Sequence, residues 1–171
     1  MRVSRFSGFT LVEMLVTIGI MAIISSAVII YSASSRQQIG LAAETAKLTQ
    51  FILRAKSLSI STYGATQNIC GYGVQLDYAN NRYHLVSYAL NSCDSPNSIS
   101  ARNILETHRL MPGVTLSNLV SGNRMGDVLF LPPDPIIFTT DLNGNLYESR
   151  GAKVKLITAD GVASKNISVN S

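Results

Sequence analysis

The chain has 171 residues, with 14 basic and 10 acidic side chains and a formal net charge of +4. One anchored domain is the natural expectation at this length, and the charge is too small for bulk attraction to nucleic acid or anionic lipid. Two histidines, scattered serines and ten acids form no nucleophile elbow, zincin helix or phosphate loop, so the sequence predicts no enzyme, no cofactor and no metal site.

The first eight residues carry Arg2 and Arg5 and no acid. From residue 9 to residue 31 there is one ionisable side chain, Glu13, and no proline. Such a run is long enough to cross a bilayer core of about 30 Å as a helix. The basic head holds the N-terminus in the cytoplasm and sends the rest of the chain outside. Two ways of processing this start compete. A secretory signal peptide is cut after the apolar part at small residues, and Ser25-x-Ala27 offers such a site. The other cut precedes the apolar part, at Gly8.

Gly8-Phe9-Thr10-Leu11-Val12-Glu13, with the apolar run behind it, resembles the processing site of the type IV prepilin family, which includes the pseudopilins of type II secretion. The resemblance implies a leader of residues 1–8, cleavage between Gly8 and Phe9 by a membrane prepilin peptidase, and N-methylation of Phe9. It also implies that Glu13 pairs with the N-terminal amine of a neighbouring subunit. A carboxylate within a span costs about 2.5–3.5 kcal/mol on insertion scales, so it is rarely incidental. The plainer alternative has Glu13 reaching back to the headgroups from the cytoplasmic end. Loss of the leader removes two bases and no acid, leaving 12 − 10 = +2 before the new amine is counted.

The transmembrane half of the helix is expected over residues 9–31 and an amphipathic half over residues 32–63. Leu41, Ala42, Thr45, Leu48, Ile52 and Ala55 recur at three- and four-residue spacing, with Phe51 and Leu58 beside them, so this stripe should be buried. Glu44, Lys47, Arg54 and Lys56 fall off the stripe and are expected in solvent. Tyr63-Gly64 is the expected stop, and a continuous helix would run about 80 Å at 1.5 Å per residue. Gly40 is its expected soft point.

Residues 64–171 read as an antiparallel sheet domain. Strands are expected at 68–77 and 82–89, joined by an Ala79-Asn80-Asn81 turn. In this hairpin Leu76, Tyr83, Leu85 and Val86 supply a buried face, and Gln75, Asp77 and His84 face out. Gly71-Tyr72-Gly73 reads as the start of a strand rather than a ligand loop. Residues 91–103 read as a polar loop, and 104–110 as a strand. Pro112-Gly113 turns the chain into a strand at 114–116. Further strands are expected at 128–131, 136–141, 146–149 and 154–158, with 167–169 closing the sheet. Asn143-Gly144 is the clearest hairpin signal, and Asp160-Gly161 marks a second turn. Asp134, Asp141 and Asn143 lack the spacing of a calcium loop. The fold class is therefore α+β, with one long N-terminal helix, transmembrane and then amphipathic, packed on an antiparallel sheet.

A spine helix carrying Leu48, Phe51, Arg54, Ala55, Lys56 and Ser57, followed by a cysteine-bearing strand, resembles the H-type minor pseudopilins and the related T-type minor pilins. The resemblance implies a structural subunit whose partners are other pilin or pseudopilin subunits, the prepilin peptidase and the cytoplasmic membrane. Cys70 and Cys93 form an even pair in an exported domain, which suggests a disulfide, with two free buried thiols as the alternative. Closing a loop of about two dozen residues would stabilise the fold by roughly 3 kcal/mol. Some T-type minor pilins capture DNA through basic residues near the C-terminus. Here Arg150, Lys153, Lys155 and Lys165 are the candidates. Lys153 and Lys155 alternate and so share a strand face, although lysines guarding an exposed edge are the more ordinary reading. His84 and His108 read as ordinary surface or strand histidines. A third alternative is an uncut, membrane-anchored ligand sensor.

Overall fold

The computed structural model describes residues 10–61, 69–90, 93, 96, 98–117, 125–133 and 136–170, without the side chains of residues 29–34. One helix, α1 (Leu11–Ser61), precedes nine strands among these residues: β1 (Gly71–Asp77), β2 (Arg82–Leu90), β3 (Ile99–Arg109), β4 (Val114–Ser117), β5 (Asp127–Leu131), β6 (Ile136–Thr140), β7 (Leu146–Ser149), β8 (Gly151–Thr158) and β9 (Ser164–Asn170). The chain divides into two compact units, Met1–Arg36 and Gln37–Ser171. In the first, Leu11–Val28 has a mean hydropathy of 2.2, and none of it is buried. Thr17 and Ser26, the hydroxyls in this run with described bonds, donate to the carbonyls of Met14 and Ile23 at 2.9 and 2.8 Å. Those hydroxyl donors would not face lipid unpaired.

In the second unit the helix lays Leu41, Leu48, Phe51, Ile52 and Ala55 against the strands, all buried. Full burial of a side chain such as Leu48 contributes about 1.5–3 kcal/mol. Phe51 meets Tyr83 edge to face at 4.9 Å between ring centroids. Gly40 is helical, and α1 ends at Ser61. Tyr63-Gly64 lies outside the described residues. Two parts of the expected stripe are corrected. Ala42 is exposed, and Glu44, expected in solvent, is only 2% exposed. It sits one turn before Leu48 on the same face, and a partner from the sheet satisfies it there.

The strands form two sheets rather than one. Six are ordered β3-β2-β1-β5-β6-β7, and three are ordered β4-β8-β9. Residues 167–169 therefore belong to β9 of the smaller sheet and do not close the larger one. Asn81 ties the two sheets together. Its φ of 51° turns the chain between β1 and β2, and its side chain then acts as an extra peptide group. Its Nδ2 donates to the Val114 carbonyl at 2.6 Å, and its Oδ1 accepts from the Leu116 amide at 3.0 Å.

β3 begins at Ile99, so residues 99–103 are strand and not loop. It is an edge strand, exposed along most of its length, and its register against β2 shifts between Leu85 and Val86. Leu85 and Val86, consecutive in β2, point to opposite faces of the sheet, and both are buried, each in a different apolar cluster. His84, expected to face out, is 5% exposed, and it lines a pocket together with Thr107, Ile104 and Leu142. Its Nδ1 lies 2.8 Å from Thr107 Oγ1, and burial lowers its pKa.

Gly71 and Gly73 lie within β1, where it passes β5. A Cβ on Gly73 would overlap the Val128 carbonyl oxygen and stand 2.9 Å from Leu129 Cα. Neither contact is a flexible side chain that can swing away. Gly73→Ala is therefore expected to destabilise the domain by about 1–3 kcal/mol, read as a lower denaturant midpoint with unchanged slope. An unchanged midpoint would show that β1 and β5 separate freely.

Candidate functional site

Thr10 stands just before the helix. Its carbonyl accepts from the Met14 amide at 3.1 Å, and its Oγ1 accepts from the Glu13 amide at 3.3 Å. Thr10 is thus the helix cap, and Thr10-x-x-Glu13 has the spacing of a capping box. Glu13 lies in the first turn, where the helix dipole favours a negative charge. Its carboxylate is exposed and has no hydrogen-bond or ion-pair partner among the described residues. Gly8 and Phe9, the expected cleavage pair, lie outside the described residues. The site therefore consists of a capped helix start, one unpaired carboxylate and an apolar, fully exposed helix behind them.

Cys70 and Cys93 are joined in a disulfide, with their Cα atoms 5.1 Å apart. Cys70 is buried just before β1, where its amide donates to the Tyr88 carbonyl at 2.9 Å. The bond fastens the start of β1 to the segment that follows β2.

The four basic candidates do not form one surface. Lys153 and Lys155 share the outer face of β8. That strand lies at the centre of the smaller sheet, between β4 and β9, so the expected edge role is corrected. Lysine is tolerated there because this face of the sheet is solvated. Lys165 pairs in register with Leu156, which puts it on the opposite face, and Arg150 lies in the bend between β7 and β8. Lys153 also lines a shallow pocket of about 210 Å³ with Thr139, Tyr147 and Ser149. Asp141 is occupied by its own turn, accepting from the amides of Asn143 and Asn145, each at 2.9 Å. Those bonds, with that from the Asn145 side chain the largest, hold its pKa below the usual carboxylate range. Asp134 lies outside the described residues. No cluster of three or more metal-ligating side chains occurs among the described residues.

Two buried polar groups were not anticipated from the sequence. Glu44 Oε2 lies 2.9 Å from His108 Nε2, and Glu44 Oε1 accepts from the Met111 amide at 3.3 Å. His108 also stacks at a tilt on Tyr83, with ring centroids 5.0 Å apart. The group pins α1 to the end of β3. Asp127, 2% exposed, takes three donors: Tyr88 Oη at 2.8 Å, Arg102 Nη2 at 2.9 Å and Thr140 Oγ1 at 2.6 Å. Burial, and then the Asp127 charge, push the Tyr88 hydroxyl pKa well up, so it stays a donor.

Residues 3–29 match the family model of the prokaryotic N-terminal methylation motif. Comparison with curated proteins and with solved structures returned no match.

Proposed function

We propose that the chain is a type IV pilin-like filament subunit, and within that group a minor subunit of the H/T type, serving a type II secretion pseudopilus or a type IV pilus. It is inserted through the apolar half of α1, with its N-terminus inside and the sheet-bearing unit outside the cytoplasmic membrane. Prepilin peptidase cuts it between Gly8 and Phe9 and methylates Phe9. Apolar helices then leave the bilayer and bury against one another in the filament core, while the sheet-bearing units coat it. The role is structural, and we assign it no catalysis and no cofactor.

One observation carries this reading. The methylation motif over residues 3–29 covers a helix whose apolar stretch, Leu11–Val28, is nowhere buried among the described residues. The dispersal of Arg150, Lys153, Lys155 and Lys165 over different faces and a bend gives a DNA-binding reading no single surface.

Mass spectrometry of the mature N-terminal peptide from native membranes tests the proposal. It should begin at N-methylated Phe9. Gly8→Val should accumulate as uncut precursor. Mature protein beginning at Val28 or later would make the apolar run a secretory signal and remove the filament role. An intact Met1 terminus would point to the uncut anchored sensor.

A further inference from the structure

The six-stranded sheet does not lie flat. β3 and β7 are its two edges, yet Ser98, just before β3, bridges Asn145, just before β7. A Cβ on Gly144 would stand 3.9 Å from Nη2 of Arg102 in β3. The sheet therefore curls until the β6–β7 turn meets β3, and there it leaves a pocket of about 570 Å³. That volume lies within the range of about 300–1,000 Å³ usual for small-molecule sites, which favour the mouths of β-barrels.

The floor is a row of polar side chains. Gln75 pairs in register with His84, and His84 with Thr107, so the three stand side by side on one face of β1, β2 and β3. His84 is buried, and its Nδ1 is taken by Thr107 Oγ1. Its Nε2 and the Gln75 side-chain amide have no partner among the described residues. Two residues along, on the same face, Asp77 accepts from Arg82 Nε at 2.7 Å. The two Nη groups of Arg82 make no bond among the described residues. Ile104 and Leu142, both more than half exposed, line the walls. The turn does not require Leu142, because Asp141 holds the turn amides.

These features narrow the ligand. The Arg82–Asp77 pair cancels its own charge, and burial favours the neutral form of His84. A charged ligand would therefore lose its hydration without gaining a counter-charge. β1 and β2 each have a paired strand on both sides, so an extended peptide finds no strand edge at the floor. What the floor offers is an amide, an imidazole and a guanidinium, planar groups that hold donors and acceptors in fixed directions. Two aliphatic walls face them.

We propose that this pocket binds a neutral saccharide of one or two rings. Sugar hydroxyls both donate and accept, so they suit Gln75, His84 and Arg82 together. The C–H face of a pyranose ring fits against Leu142 and Ile104. The proposal is independent of how the N-terminus is processed and of assembly into a filament.

The chain has two histidines, and the second is an internal control. His84 stands in the pocket, whereas His108 bonds Glu44 on α1. The full chain, with isotope-labelled histidine, is held in phosphatidylcholine nanodiscs near neutral pH. It is titrated with glucose, galactose, N-acetylglucosamine, maltose and cellobiose. At least one of these sugars should move the His84 ring resonance saturably and leave that of His108 in place. Gln75→Leu removes the amide and Leu142→Ala removes a wall, and each should weaken binding about fivefold. Neither side chain bonds to the rest of the fold among the described residues, and an unchanged His108 resonance checks that both variants fold. A His84 resonance that no sugar moves overturns the proposal. So does a shift shared equally by both histidines, or one that survives both substitutions. A shift produced by an acetylated, amidated alanine–glutamine–alanine peptide and by no sugar assigns the pocket to a polypeptide partner and overturns it too. Inorganic phosphate should have no effect, and a response to phosphate stronger than to any sugar would make this an anion site instead.

Discussion

Glu13→Leu is expected to stay in the membrane and be cut after Gly8, yet be excluded from the filament by more than tenfold. In the proposed subunit, cleavage would leave Phe9 with a positive terminal amine. Glu13 lies four residues on, roughly 6 Å along the axis, and its carboxylate has no partner among the described residues. Between subunits staggered along a filament, the amine of an incoming chain can meet the glutamate of its neighbour. In a low-dielectric core that attraction far exceeds its value in water. Removing one member of a buried pair costs about 3–5 kcal/mol, because the other charge is left uncompensated, and each 1.4 kcal/mol is about a factor of ten. Glu13→Leu also removes an insertion cost of about 2.5–3.5 kcal/mol, so its membrane level should not fall. Glu13→Gln keeps the shape and loses the charge, and should be excluded as well. The ratio of sheared filament to membrane fraction, measured by immunoblot, reads the effect. Wild-type incorporation of Glu13→Leu would reduce Glu13 to a side chain that merely reaches the headgroups.

Asp127→Ala is expected to cost about 3–5 kcal/mol, with the melting temperature falling by roughly 10–20 °C for a unit of this size. The carboxylate joins β2, β3, β5 and β6 through Tyr88, Arg102 and Thr140. Its loss strands two buried hydroxyls, each costing about 1–3 kcal/mol when unsatisfied. The Arg102 side chain is 33% exposed and can return to water, so it adds less. Tyr88→Phe removes one donor and should cost only about 1 kcal/mol. Denaturant unfolding with the disulfide intact gives all these values. A midpoint for Asp127→Ala equal to that of Tyr88→Phe would mean that the ion pair and Thr140 contribute nothing.

Local signals in the sequence were the reliable ones. Asn143-Gly144, Asp160-Gly161 and Pro112-Gly113 all mark turns in the structure, with each glycine at positive φ, because those dipeptides fix the backbone whatever surrounds them. The buried stripe of α1 was legible at Leu41, Leu48, Ile52 and Ala55 for the same reason. What failed depended on distant partners. Glu44 looks like a solvent residue until His108, 64 residues away, is brought beside it. Asp127 looks like the end of a loop until three donors converge on it. β3 was read short because an exposed edge strand with a register shift shows no alternation. The division into two sheets was hidden because every strand pairing is antiparallel, and periodicity carries no information about which neighbour a strand selects. At the N-terminal end, the reading of Gly8-Phe9, which lies outside the described residues, and of Glu13 rests on the motif alone.

The pairing of β4 with β8 also governs the order in which the domain can close. β1, β2 and β3 follow one another in the chain and pair as they emerge. β4 finishes at Ser117, but the strand it pairs with does not begin until Gly151. A chain that has emerged as far as Ser149 holds all six strands of the larger sheet and neither partner strand of the smaller one. Contacts of such long range must first meet the entropy of closing the intervening loop. As the chain emerges, Val114, Leu116 and the face of α1 that they cover are finished last, by the β8–β9 hairpin. A nascent domain therefore has an apolar flank open to water until β9 has emerged.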